Sequence, residues 1–206
     1  MGTVRELSQL DLNALQVKAL AVDFGGVMAD FIDHDTLSLM ADIAQVPLAQ
    51  FEIPFWEKRD RLDLGEDDPR SYFHSILTDC DSPVKDDEAV LSLLFTIDIL
   101  GFSHIRPKMV HWVCEARRAG IQTVLVSNMA AETYARLVED TYWAKACFDD
   151  FVISGVVGMN KPEQPIFYHT LNLLRISPEQ ILFIDDAKRN IETAKTMGMQ
   201  TFLYDR

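Results

Sequence analysis

Two adjacent carboxylates, Asp185 and Asp186, close the apolar run Ile181-Leu182-Phe183-Ile184. Like charges side by side at a strand end are costly unless something positive lies near. Oxygen-only ligands suit a divalent cation, Mg2+ above others. The pair also fits a plain helix start, where the backbone dipole favours acids. A third carboxylate, Asp23, follows Leu20-Ala21-Val22 and precedes Phe24-Gly25-Gly26-Val27. On a tight turn beyond a buried strand it can serve as a nucleophile or a metal ligand, or only bond its own turn. Ser127 and Asn128 end a further apolar run, Thr123-Val124-Leu125-Val126. Their hydroxyl, amide and backbone N–H groups suit a phosphate, and equally a helix N-cap. Lys161 stands in GMNKPEQPIF, just before a helix expected to begin near Pro162. It is either a point charge against an anionic intermediate or a solvated surface lysine.

The elements around these residues place them together. KALAVDFGG, IQTVLVSN, FVISG, ILFIDD and TFLY predict strands. PKMVHWVCEARRAG, MAAETYARLVEDTYWAKA, PEQPIFYHTLNLLRI and AKRNIETAKTMG predict the helices between them. Strands alternating with helices predict an α/β fold: a three-layer, Rossmann-like parallel sheet covered on both faces. Between the first strand and the rest, from about Phe31 to Ser103, apolar residues recur at helical spacing: Leu37, Met40, Ile43 and Ala44; Phe73, Ile76 and Leu77; Val90, Leu93, Leu94 and Ile97. This stretch predicts an all-helical insertion with DLGEDDP as a loop. In open α/β sheets, ligands bind beyond the carboxyl ends of the strands. Asp23, Ser127–Asn128 and Asp185–Asp186 are therefore expected to meet at one edge.

Composition narrows the partners. The 206 residues are 48% apolar and carry a net charge of −13. Such a charge argues against nucleic acid, whose backbone demands clustered Lys and Arg. It leaves an anionic small substrate open, because a metal ion and a few local cations reverse the sign inside a cleft. Cys80, Cys114 and Cys147 are odd in number and lack metal-site spacing, which suits buried, reduced thiols. The N-terminal MGTVRELSQLDLNALQ lacks the apolar core of a signal peptide, and Glu6 breaks the myristoylation pattern. AVLSLLFTIDILGF is too short to span a bilayer and is interrupted by Asp98, so it predicts a buried helix. The expectation is a cytoplasmic protein without membrane contact, a monomer or homodimer.

Taken together, VDFGGV, TVLVSN, NKPEQPIF and FIDDAKRNIETAKTMGM resemble, in order, the four characteristic segments of the haloacid dehalogenase-like superfamily. The likeness covers about Lys18 to Gly26 and Arg106 to Tyr204. It implies an α/β core from residues 1–30 and 106–206, with a helical cap over residues 31–105. It also implies a Mg2+-dependent phosphatase that carries the phosphoryl group on Asp23. The metal would lie on Asp23, the Gly25 carbonyl and Asp185. Ser127, Asn128 and Lys161 would hold the phosphoryl oxygens, and Asp186 would orient Lys161 or a metal-bound water. The FGGV form and the stretch FWEKRDRLDLGEDDPRSYF resemble a subgroup with the phosphatase domain of soluble epoxide hydrolase and bacterial sugar-phosphate phosphatases. The implied substrate is a small phosphorylated metabolite, such as a sugar phosphate. Arg59, Arg61 and His74 are the cap residues that could touch it.

One position departs from the pattern. The superfamily usually has a second Asp two residues after the nucleophile, as general acid and base. Here that residue is Gly25. General acid–base help is worth about 10²–10⁴-fold. The departure predicts a slower phosphatase, a substrate with a good leaving group, or an acid from elsewhere, with Asp30, His34 and His74 as candidates. It also keeps open a non-catalytic phosphate-binding protein. Metal-independent dehalogenation is a further alternative, against which the Asp185–Asp186 pair speaks.

Overall fold

The computed structural model describes Leu7 and residues 10–205. The N-terminal residues on which the leader and acylation expectations rest lie largely outside these. Strands β1 (Ala19–Val22), β2 (Gln122–Ser127), β3 (Asp150–Ile153), β4 (Ile181–Asp185) and β5 (Gln200–Leu203) form a parallel sheet in the order β3-β2-β1-β4-β5. Along each strand the side chains alternate between two faces. Ala19, Ala21, Val124, Val126, Ile181 and Phe183 face α10 (Gln164–Leu174) and α11 (Lys188–Thr196). Leu20, Val22, Leu125, Leu182 and Ile184 face the other way, toward α6 (Pro107–Arg118) and α8 (Tyr142–Cys147). Both faces are covered, as expected of near-continuous apolar strands.

The insertion is helical throughout. It comprises α1 (His34–Ile43), α2 (Leu48–Glu57), α3 (Arg59–Leu64), α4 (Pro69–Asp79) and α5 (Glu88–Gly101). Acidic N-caps start three of these helices: Asp33 accepts from Thr36 N–H, Asp68 from Ser71 N–H, and Asp87 from Ala89 and Val90 N–H. Phe51, Phe55, Tyr72 and Phe73 fill the centre of the bundle and belong to the same apolar cluster as Leu20 and Val22 of the sheet. The chain leaves and returns to the core along adjacent paths. Asp30 N–H donates to the His104 carbonyl at 3.0 Å and Arg106 N–H to the Met28 carbonyl at 2.8 Å. The Arg106 guanidinium closes this neck on Asp30 at 2.7 Å and on the Gly26 carbonyl at 2.6 Å.

Several expectations are corrected in detail. In α5 the buried face is Leu91, Leu94, Phe95, Asp98 and Ile99, and Leu93 is exposed. A helix apolar on most sides does not reveal its inner stripe by spacing alone. The predicted helix MAAETYARLVEDTYWAKA is two helices, α7 (Ala131–Leu137) and α8. They are separated by a turn in which Thr141 N–H and Oγ1 both bond the Val138 carbonyl. Asp63 and Leu64, expected in a loop, finish α3, which ends at Gly65 in the left-handed region. Helix α10 starts at Gln164 rather than near Pro162. The three cysteines are free and buried, with the Cys114 and Cys147 sulfurs 2.7 Å apart. Among the described residues no helix is long and apolar enough to cross a membrane.

A single hydroxyl joins the insertion to the sheet edge. Ser154, fully buried at the start of α9 (Ser154–Val157), donates to the Asp63 carbonyl and accepts Met129 N–H at 2.8 Å. Ser154→Ala leaves both backbone groups unpaired. It should lower the unfolding free energy by about 1–3 kcal/mol. Urea denaturation should show a lower midpoint with an unchanged slope; an unchanged midpoint would mean this hydroxyl contributes nothing to stability.

Candidate active site

The parallel register brings the strand ends level. Val22 pairs with Ile184 and with Leu125, so the residues that follow β1, β2 and β4 emerge at one edge. Asp23 is held there by its own backbone, its N–H donating to the Ile184 carbonyl at 3.0 Å. The chain then turns sharply, with Met28 and Ala29 N–H both bonding the Phe24 carbonyl. One Asp23 oxygen, Oδ1, accepts Phe24 N–H at 2.7 Å and lies 2.7 Å from Lys161 Nζ.

Lys161 is the hub. It is 2% exposed, and its ammonium also lies 2.8 Å from Asp185 Oδ2. Burial alone would depress its pKa, but Asp185 and Asp23 overcome that and hold it above the ordinary lysine value. Asn128 clamps its backbone. The amide nitrogen donates to the Lys161 carbonyl and the amide oxygen accepts Lys161 N–H, both at 2.8 Å. Asp185 is itself saturated, accepting from Ala187 N–H at 2.8 Å and from Asn190 Nδ2 at 2.9 and 3.0 Å.

The carboxylates of Asp185 and Asp23 contact the Lys161 ammonium. The Asn128 side chain, expected on a phosphate, is engaged with the Lys161 backbone. Neither Ser127 nor Asn128 caps a helix, since α7 begins beyond Ala130 and has no side-chain cap. Ser127 is buried at the end of β2, with Oγ 3.4 Å from the Asn128 carbonyl.

The acidic residues form a set that could hold a cation. Asp23, Asp185 and Asp186 each present an oxygen, all within 4.8 Å of one another. Burial pushes the Asp23 carboxyl up to about 7; Lys161 pulls it down, and Asp185 and Asp186 add to the rise. One ammonium therefore does not neutralise the group, and hard oxygen donors with surplus negative charge fit Mg2+. The turn is shaped to the same end. Gly26 has φ +77°, and a Cβ there would come within 2.3 Å of Asp186 Oδ2. Only glycine lets the turn and this carboxylate approach so closely.

A cavity of about 240 Å³ opens beside Asp23 and Lys161. Phe24, Phe31, Trp56 and Phe102 give it aromatic walls; Arg59, Asp60, Asp63 and Arg189 bring charge. Of the proposed cap contacts, Arg59 lines this cavity. Its guanidinium lies 2.7 Å from Asp98 and 3.2 Å from Asp63, over the rings of Phe55 and Phe102. Arg61 is exposed and bonded to Asp67. His74 pairs with Asp86 at 3.1 Å, Asp30 with Arg106, and exposed His34 begins α1. None of these four is among the cavity-lining residues. Spacing missed Phe31, Trp56, Asp63 and Phe102. One signal was present: an aspartate inside the otherwise apolar α5 demands a buried cation, and Asp98 finds it in Arg59.

The model of the haloacid dehalogenase-like hydrolases matches residues 17–198. The chain belongs to that family. A sesquiterpene phosphatase from Aspergillus oryzae is 24% identical over 88% of this chain and 87% of its own length. Bifunctional epoxide hydrolase 2 of Mus musculus is 41% identical over 55% of this chain, a match spanning 21% of that longer protein. Among solved structures, a HAD-family enzyme from Bacteroides thetaiotaomicron in complex with magnesium and inorganic phosphate superimposes with a TM-score of 0.71. It is 20% identical, over 90% of this chain and 93% of that one, a likeness of fold.

Gly26→Ala tests the family site directly. The added methyl meets the Asp186 carboxylate and places alanine in left-handed backbone, at about 1–2 kcal/mol. We expect a lower thermal midpoint and Mg2+ affinity reduced about 10–100-fold by calorimetric titration. Affinity equal to that of the unaltered protein would remove Asp186 from the cation site.

Proposed function

We propose that the protein is a Mg2+-dependent hydrolase of small phosphate monoesters. The observation that carries this reading is the Lys161 ammonium, buried between Asp23 and Asp185 beside a third carboxylate. Asp23, the Gly25 carbonyl and Asp185, with Asp186 beside them, would hold the metal, which when bound supplies charge neutralisation for an incoming phosphate. Asp23 attacks phosphorus with Oδ2, since Oδ1 is anchored on Phe24 N–H and Lys161. The phosphoryl group then rests on Asp23 until water releases it. Lys161 places its charge against the phosphoryl oxygens, and Ser127 and the backbone beyond β2 complete their cradle. Asn128 keeps the lysine in register, and Asp185 keeps its ammonium charged and aimed.

The helices between residues 31 and 105 are proposed as the cap that selects the leaving group. Phe31, Trp56, Arg59 and Phe102 come from this segment and its edges, so the walls above Asp23 are its contribution. Their aromatic character supports an alcohol with an apolar face. A sugar meets that requirement through the C–H side of its ring, and a lipid or terpenoid alcohol through its whole length. The relative named as a sesquiterpene phosphatase and the structural neighbour holding magnesium and phosphate support the same class. Metal-independent dehalogenation is disfavoured, because without a metal the one ammonium of Lys161 faces three carboxylates, and the surplus negative charge would repel an anionic substrate.

The deciding assay is hydrolysis of p-nitrophenyl phosphate with Mg2+, with chelator and with Asp23→Asn. Turnover should require Mg2+ and fall to background in the variant. An inactive wild type in Mg2+ would overturn the phosphatase reading, as would turnover that survives the chelator.

A further inference from the structure

The site as described lacks a proton donor for the departing alcohol. Gly25 has no side chain, and the place where its Cβ would stand is 3.4 Å from the Phe31 ring. That side of the turn is therefore filled by an aromatic wall, and a proton must come from elsewhere in the cavity. Two acids that bear on the cavity come from α3: Asp60, which is exposed, and Asp63, which is 7% exposed. Helix α3 is fastened over the site by its main chain. The Asp63 carbonyl accepts from Ser154, and the Asp60 carbonyl accepts from Asn160 Nδ2 at 3.3 Å, one residue before Lys161. Asp63 lines the same cavity as Asp23, and its side chain is 10% exposed where that of Asp98 is fully buried.

The charges around Asp63 do not balance. Arg59 is one cation shared by two buried carboxylates. Asp98 of α5 is fully buried and makes the shorter contact, 2.7 Å against 3.2 Å for Asp63. Asp98 Oδ2 has no hydrogen-bond partner among the described residues, and Asp60 and the buried Tyr72 of α4 add no positive charge. Two carboxylates on one guanidinium leave a net buried negative charge, which a retained proton relieves. Of the pair, Asp63 opens on the cavity.

We propose that Asp63 is the general acid and base of the reaction, doing from the inserted helices what the side chain missing at Gly25 would otherwise do; this rests on the phosphatase reading. As the Asp23 Oδ2–P bond forms and the ester P–O bond breaks, the Asp63 proton passes to the departing oxygen and the alcohol leaves neutral. The Asp63 carboxylate then takes a proton from the water whose oxygen attacks phosphorus and breaks the Asp23–P bond. Inorganic phosphate departs, and both carboxyls return to their starting states. Burial pushes the Asp63 carboxyl up to about 6; Arg59 pulls it down, and Asp98 and Asp60 add to the rise. That value suits an acid working near neutrality.

The test compares two esters, because p-nitrophenolate leaves without a proton and butoxide does not. For Asp63→Asn, kcat/KM toward n-butyl phosphate should fall by about 10²–10⁴-fold, and toward p-nitrophenyl phosphate by less than about tenfold. Asp63→Glu, which keeps the carboxyl, should restore most of the butyl rate. Asp98→Asn, which disturbs the same arginine, should affect both esters alike. In the wild type, the ratio of kcat/KM for the butyl ester to that for the nitrophenyl ester, in which the ionisation of Asp23 cancels, should fall as pH rises through about 6, a readout that stands even if Asp63→Asn fails to fold. Equal losses on both esters, no loss on either, or a butyl-to-nitrophenyl ratio flat across that range would overturn the assignment. A wild type inactive toward both esters in Mg2+ would instead overturn the phosphatase reading beneath it.

Discussion

A lysine ammonium out of water is costly, and most of the site follows from how Lys161 is compensated. Two carboxylates contact it, one from the end of β1 and one from the end of β4. The Asn128 amide from the end of β2 pins its backbone. The three strand ends are thus tied to one residue that lies outside the sheet. Removing one partner of a buried ion pair typically costs about 3–5 kcal/mol, because it strands the other charge. The same arrangement leaves three carboxylates facing one cation, and that surplus is what makes the place suited to a divalent metal and an anionic substrate.

A second shared cation repeats the theme in the insertion. Arg59 serves Asp63 and Asp98 as Lys161 serves Asp23 and Asp185. Asp23 and Lys161 of one cluster and Arg59 and Asp63 of the other line the same cavity, together with Phe24, Phe31, Trp56 and Phe102. The lower cluster is organised by strand register, and the upper one by the apolar packing of α2, α4 and α5. Under the proposed function, the sheet would supply the groups that act on the phosphate and the helices the contacts made with the alcohol.

The fold and the lower cluster were legible because both rest on short-range regularities. An apolar run ending in Asp, Ser-Asn or Asp-Asp marks a buried strand and its functional tip without knowledge of anything distant. Chain order alone then placed Asp23, Asn128 and Asp185 together, and the family resemblance added Lys161. The finer roles were not legible. Whether Asn128 meets a ligand or the Lys161 backbone depends on the path of a loop 33 residues away. The upper cluster was harder still, since Arg59 and Asp98 lie 39 residues apart on separate helices. His74 and Arg61 had the right residue types in the right segment, but face Asp86 and Asp67 on the outside of the bundle. Helical spacing on a largely apolar helix such as α5 does not tell which side turns inward.

The fastening of α3 has a bearing on how such a protein changes over generations. Ser154 and Asn160 grip carbonyl oxygens at positions 63 and 60, and every amino acid offers the same carbonyl. The grip is therefore indifferent to which side chains those positions carry. Substitutions at 60 and 63 can alter what the cavity accepts or how a proton is supplied while the helix stays moored in place. The exposed position 60 can therefore vary at little cost, whereas a change at 63 keeps the carbonyl mooring but must also answer for the charge of Arg59.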